Sequence, residues 1–131
     1  MSASVLFVSP HRADAEELDR MLLPAALHIV NVQKVSQAGD KLRSGHFPVV
    51  LTEAKLADGG WRDVLALARR FDPGAEVIVT TAFADSGFWA EAINLGAYDL
   101  LVQPFRRMEV ERIVGSASQA HLYEIPLAAA V

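Results

Sequence analysis

The chain predicts an α/β domain with a five-stranded parallel sheet and helices on both faces. Short unbroken apolar runs, the mark of strands buried on both sides, alternate with stretches of helical period. That alternation repeats along 131 residues, the size of one ordinary domain. The joints are about two to eight residues long, which suits right-handed crossovers between parallel strands.

Taken in order, Val5-Leu6-Phe7-Val8 is a buried-strand run stopped by Ser9-Pro10. From Arg12 to Leu23 the residues Ala15, Leu18, Met21 and Leu22 recur at helical steps, and Asp14 and Glu17 have capping-box spacing near the start. Leu27 to Val32 reads as the second strand, rich in β-branched residues. Val35, Ala38 and Leu42 mark a short helix closed by Ser44-Gly45. Phe47 to Leu51 is the third strand, and Glu53 to Gly60 reads as a loop. Trp61 to Phe71 is helical, with Val64, Leu65, Leu67 and Ala68 to one side, and Asp72-Pro73-Gly74 is a turn. Val77-Ile78-Val79 is the fourth strand, followed by a helix over Ser86 to Leu95 that Gly96 terminates. Leu100-Leu101-Val102 is the fifth strand, stopped by Pro104. Val110, Ile113, Val114 and Ala117 mark the last helix. Residues 1–120 make one domain, and residues 121–131 are a mostly apolar tail too short to fold alone.

Composition narrows the function. A hydrophobic fraction of 52% with 21% charged residues excludes a disordered chain. Twelve Lys and Arg against 16 Asp and Glu leave a net charge of −4, without a basic block, which argues against direct nucleic-acid binding. The absence of cysteine removes disulfides, thiolate metal sites and cysteine nucleophiles, and leaves the redox compartment open. No apolar run approaches the roughly 18 residues of a membrane span. Met1-Ser2-Ala3-Ser4 lacks the basic start of a secretory signal, so a cytoplasmic, membrane-free domain is expected.

In parallel α/β sheets the functional crevice lies beyond the carboxyl ends of the strands. The residues there are Ser9-Pro10-His11, Thr52-Glu53, Thr81-Ala82 and Gln103-Pro104. Val77-Ile78-Val79-Thr80-Thr81-Ala82, then Gly96-Ala97, then Val102-Gln103-Pro104-Phe105, together resemble the receiver domain of bacterial response regulators (CheY-like). The likeness covers about Ser4 to Gln119. It implies a doubly wound (βα)5 flavodoxin-like fold with strand order 2-1-3-4-5. It also implies a pocket where two acids after strand one hold Mg²⁺ and an Asp after strand three accepts a phosphoryl group. A Thr or Ser after strand four and a Lys after strand five bind the phosphoryl oxygens there.

Matched residue by residue, this pocket is mostly replaced. The acid pair falls on Ser9 and Pro10, the phosphoacceptor on Glu53 and the lysine on Gln103, while Thr81 keeps its family identity. Alignment from Gly60 alone places Thr52 at the acceptor position. Glu53 is preferred because it restores an acid there and leaves the strand ungapped. Without paired carboxylates Mg²⁺ binding is expected to be lost or weak, and without lysine a phosphoryl group loses its point-charge partner. The expected protein is therefore an atypical pseudo-receiver: a non-catalytic module in a two-component (phosphorelay) type pathway, with no cofactor and no enzyme activity. The alternative is a working phosphoacceptor receiver. A flavodoxin-like cofactor binder needs a phosphate loop after strand one, which Ser9-Pro10-His11-Arg12 does not supply.

Several residues carry two readings. Glu53 is a mimic of the phosphorylated state or a solvated loop acid, bonded in the first case to Thr81 or Gln103. Thr81 is a switch hydroxyl or a strand-end threonine bonded to local backbone. Phe83, Phe88 and Trp89 are partner contacts or half-buried packing. His11, His28, His46 and His121 lack ligand spacing, so no metal site is expected, and His11 lies nearest the crevice. Arg69-Arg70 and Arg106-Arg107 read as solvated pairs, the second also as a partner contact. The resemblance implies a cis Gln103–Pro104 bond. The partners it implies are a kinase or an output domain, with a possible homodimer through the helix 4–strand 5–helix 5 face, aided by the tail Ile125 to Val131.

Overall fold

The computed structural model describes residues 3–130, and of residues 121–130 the backbone alone. Five strands, β1 (Ala3–Val8), β2 (Leu27–Val32), β3 (Val49–Glu53), β4 (Glu76–Thr81) and β5 (Asp99–Val102), form one sheet in the order β2-β1-β3-β4-β5. Every pairing in it is parallel. The helices are α1 (Arg12–Leu22), α2 (Val35–Ser44), α3 (Trp61–Phe71), α4 (Ser86–Leu95) and α5 (Arg107–Ala130). This is the parallel α/β arrangement that the alternation of runs and periods predicts, with the flavodoxin-like strand order that the resemblance implies. Among the described residues no helix is long and apolar enough to cross a membrane.

The period of two along each strand divides the core in half. Val5, Phe7, Leu51, Ile78 and Leu101 point to the side covered by Ala15, Leu18 and Leu22 of α1 and by Val110, Ile113, Val114 and Ala117 of α5. Leu6, Val8, Val50, Val79 and Leu100 point to the other side, against Leu42 of α2, Trp61, Val64, Leu65 and Ala68 of α3, and Ala92 of α4. Side chains of the central strands are fully buried there. This is why those strands read as continuous apolar runs rather than as alternating ones.

Four local expectations change. The N-cap of α1 is His11, with no side-chain cap, so Asp14 and Glu17 do not form a capping box. Asp14 turns instead toward the sheet. The third strand is shifted two residues on, to Val49–Glu53, because Phe47 and Pro48 lead into it while the Phe47 N–H donates to the Asp72 carboxylate at 2.9 Å. The segment after Glu53 is not a plain loop but carries a two-residue antiparallel ribbon, Lys55–Leu56 against Gly59–Gly60. The backbone of residues 121–130, read as a tail, continues α5. The side chains of His121 and of the apolar tail, and all of Val131, lie outside the described residues.

Candidate functional site

The same period of two builds the crevice at the carboxyl end of the sheet. Continuing Val5 and Phe7, Ser9 points to the α1/α5 side; continuing Val49 and Leu51, so does Glu53; continuing Ile78, so does Thr80. Glu53 and Thr80 are direct register partners on β3 and β4, and Val8 pairs with Thr52 one step before. Strand register thus sets Ser9, Glu53 and Thr80 side by side. Across from them stand His11 at the start of α1, Asp14 in its first turn and Gln103 after β5. An open crevice of about 490 Å³ is lined by His11, Glu53, Lys55, Thr81, Phe83 and Gln103, among others.

The Glu53 carboxylate is held on its β1 side. The buried Ser9 hydroxyl donates to Glu53 Oε2, and His11 Nδ1 lies 2.7 Å from the same oxygen. Ser9 Oγ also accepts the His11 backbone N–H at 3.0 Å, so the three residues form a closed ring of contacts. The side chain of Glu53 is 16% exposed and that of His11 63%. The Glu53 hydrogen bond and its negative charge, with Asp14 adding to them, raise the His11 imidazole above its ordinary value against a small desolvation effect. Asn31 of β2 braces the strand end by donating to Phe7 O, Ser9 O and Val32 O at 3.0, 3.1 and 3.2 Å. The one sign of its role in the sequence is a polar residue inside a β-branched strand.

The remaining positions face other partners. Gln103 Nε2 donates to Asp14 Oδ2 at 3.0 Å, which ties the end of β5 to α1. The Gln103–Pro104 bond is cis. Thr81 Oγ1 donates to Phe83 O at 2.9 Å and accepts the Phe83 N–H at 3.2 Å, the local-backbone reading of that residue. Pro10 is exposed and offers no donor atom to the crevice. Neither Thr81 nor Gln103 is the hydrogen-bond partner of Glu53 among the described residues; Ser9 and His11 take that place because register brings them closer. Thr52, the alternative acceptor position, is buried, and its hydroxyl donates to Glu53 O at 3.0 Å.

The donor set fits Mg²⁺ poorly. That ion demands near-octahedral oxygen coordination, supplied through carboxylates and water. Ser9 and Pro10 bring no carboxylate, and Glu53 Oε2 is already engaged by a hydroxyl and an imidazole. What the fold does bring together is His11, Asp14 and Glu53, whose donor atoms lie within 4.8 Å of one another. His11 and Asp14 stand three residues apart at the start of α1, but Glu53, 42 residues from His11, joins them only through the fold.

Known proteins give a consistent picture of the fold. No protein-family model matches the chain. Over 68 residues, 52% of this chain, it is 31% identical to the transcriptional regulatory protein ZraR of Klebsiella oxytoca, a stretch that is 15% of that protein. Over 49 residues, 37% of this chain, it is 45% identical to protein CcdB of Bacillus subtilis (strain 168), a stretch that is 38% of that protein. The chain therefore spans less than half the length of either relative. Among solved structures, the signal receiver domain of an HD domain-containing protein from Pseudomonas fluorescens Pf-5 superposes with a TM-score of 0.84 at 23% identity, covering 95% of this chain and 93% of that one. A CheY-like response regulator receiver domain protein from Methanospirillum hungatei JF-1 gives 0.83 at 18% identity, with 95% and 99% covered. The beryllofluoride-activated NtrC4 receiver domain dimer gives 0.77 at 25% identity, with 92% and 97% covered. By topology and by these likenesses the chain has the fold of CheY-like receiver domains.

Proposed function

We propose that this domain is a pseudo-receiver of a two-component type pathway, which signals through protein contacts without aspartyl phosphorylation. The observation that carries the reading is the engagement of Glu53. The acid at the phosphoacceptor position is engaged by Ser9 and His11, and Ser9 and Pro10 stand where paired metal-binding acids are needed. A phosphoryl group transferred there meets no ammonium from position 103, where Gln103 is turned to Asp14. The module has no catalytic role of its own, needs no Mg²⁺, and works in the cytoplasm without touching nucleic acid or membrane.

Its partners are a kinase or output domain and a second copy of the chain. Exposed apolar side chains cluster on the α4 side: Trp89, Ile93 and Leu95 are 43%, 40% and 43% exposed, and Phe83 just before the helix is 88% exposed. Trp89 and Ile93 are four residues apart and so share one helical face. Phe88 belongs to the core instead, its ring 6.2 Å from that of Trp61. The NtrC4 neighbour is a dimer, which makes self-association through this side the natural first test. The phosphorylation reading is tested with acetyl phosphate and Mg²⁺, read by intact mass. The wild-type chain is expected to stay unlabelled; efficient Mg²⁺-dependent labelling means a working phosphoacceptor receiver instead.

A further inference from the structure

We propose that His11 Nδ1 and the carboxylates of Asp14 and Glu53 form a binding site for a divalent transition ion of the Zn²⁺ class. This does not rest on the signalling reading, and the ion differs from the Mg²⁺ that the fold's relatives imply. One imidazole nitrogen and two carboxylates are the donors a borderline ion prefers, whereas Mg²⁺ selects oxygen alone. Three protein ligands leave a fourth position for water, the pattern of an open tetrahedral site.

The geometry needs little adjustment. Ligand atoms about 2.0–2.1 Å from a tetrahedral ion stand about 3.4 Å apart. Here the three donor atoms lie within 4.8 Å of one another, and His11 Nδ1 is 2.7 Å from Glu53 Oε2. His11 is exposed at the N-cap of α1, so its ring is free to swing by the small amount required. Both carboxylates already have a further contact, the Ser9 hydroxyl at Glu53 Oε2 and the Gln103 amide at Asp14 Oδ2. Such outer contacts fix ligand direction and raise affinity.

An independent observation points to a ligand at the same place. Thr80 is 1% exposed, and its hydroxyl is the buried side-chain polar atom without a hydrogen-bond partner among the described residues. It lines the crevice with His11 and Glu53 and is the register partner of Glu53. A buried hydroxyl left unpaired costs free energy. Occupancy cross-links α1 to the end of β3, which closes the crevice on its β1 side.

The test is calorimetric titration of the full chain with Zn²⁺, repeated with Mg²⁺. One saturable Zn²⁺ per chain is expected, not displaced by an excess of Mg²⁺. His11→Gln, Asp14→Asn and Glu53→Gln should each weaken it by at least about tenfold, while His28→Gln on the edge strand β2 leaves it unchanged. Co²⁺ should give the visible absorption of a four-coordinate ion, lost in His11→Gln. Far-UV circular dichroism checks folding, and the exposed His11 decides the matter if Glu53→Gln unfolds. No saturable binding, binding that survives His11→Gln, or a site that Mg²⁺ fills equally well would overturn the proposal.

Discussion

A carboxylate at the end of a central strand is satisfied by whatever the neighbouring strand ends present, and at Glu53 these are Ser9 and His11. Two consequences belong to this scale. Because Glu53 raises the His11 imidazole above 6.5, the pair contributes stability that is fully present below the unfolded-state value and is lost as pH rises through the folded one. An NMR titration should find His11 above 6.5 in the wild type and back near it in Glu53→Gln. The stability difference between the two proteins should shrink as pH rises through the wild-type value; a gap that widens there contradicts the pairing. Thr80 makes the second case. Its unpaired hydroxyl sits where a methyl group of the same shape costs nothing in hydrogen bonds. In metal-free buffer Thr80→Val should raise urea stability by about 1 kcal/mol, and a loss of stability means that the hydroxyl is paired.

Helix ends set the next scale. Helix α2 is capped from outside its own sequence: Asp58, at the tip of the short ribbon, accepts the N–H of Val35 at 2.8 Å and of Ser36 at 3.1 Å. Those two backbone bonds lower the Asp58 carboxyl below its usual range. A depressed carboxyl contributes stability above its unfolded-state value and loses it as pH falls through the folded one. Asp58→Ala should therefore melt below the wild type at neutral pH, with the difference vanishing in acid. Helix α4 ends on Gly96 at a φ of 109°, with its N–H turned back to Ile93 O at 3.0 Å. Gly96→Ala should cost roughly 1–2 kcal/mol in urea unfolding, because a Cβ there also meets the Arg69 guanidinium. The two ends show what is legible in a sequence. Gly96 follows a periodic helix directly and could be read as its stop. Asp58 lies 23 residues from Val35 and is brought there by the fold. The acid near strand three was legible by position, but its partners were not. His11 and Glu53 meet only once the register of β1 on β3 is known, and the same register hides the His11, Asp14 and Glu53 cluster.

At the scale of the whole molecule, the carboxyl end of the sheet holds the candidate site, while α4 exposes the apolar side chains proposed above as a partner surface. If Trp89 and Ile93 mediate self-association, the wild type should sediment as a concentration-dependent dimer and Trp89→Glu with Ile93→Glu as a monomer. A wild type that stays monomeric at high concentration removes that surface from the account. The carboxyl end offers the sharper test, because what separates it from a phosphorylatable pocket is a set of residues rather than one. Glu53→Asp shortens the acid but leaves Ser9 and Pro10 without the carboxylates that Mg²⁺ needs. It also leaves Gln103 where an ammonium is needed. Attraction between unit charges about 4 Å apart is on the order of 4 kcal/mol at an effective dielectric near 20, against about 1.4 kcal/mol for each tenfold in rate. Even after a large discount for desolvation, the missing lysine slows transfer by about tenfold or more, and the missing acids slow it further. Labelling by acetyl phosphate should thus be absent in Glu53→Asp and appear only when Ser9→Asp, Pro10→Asp and Gln103→Lys are added. Asp14 now accepts from Gln103 and would compete for the new lysine, so Asp14→Asn added to the quadruple variant should raise labelling further. Efficient labelling of Glu53→Asp alone places the block at side-chain length instead of charge, and the pseudo-receiver reading then fails.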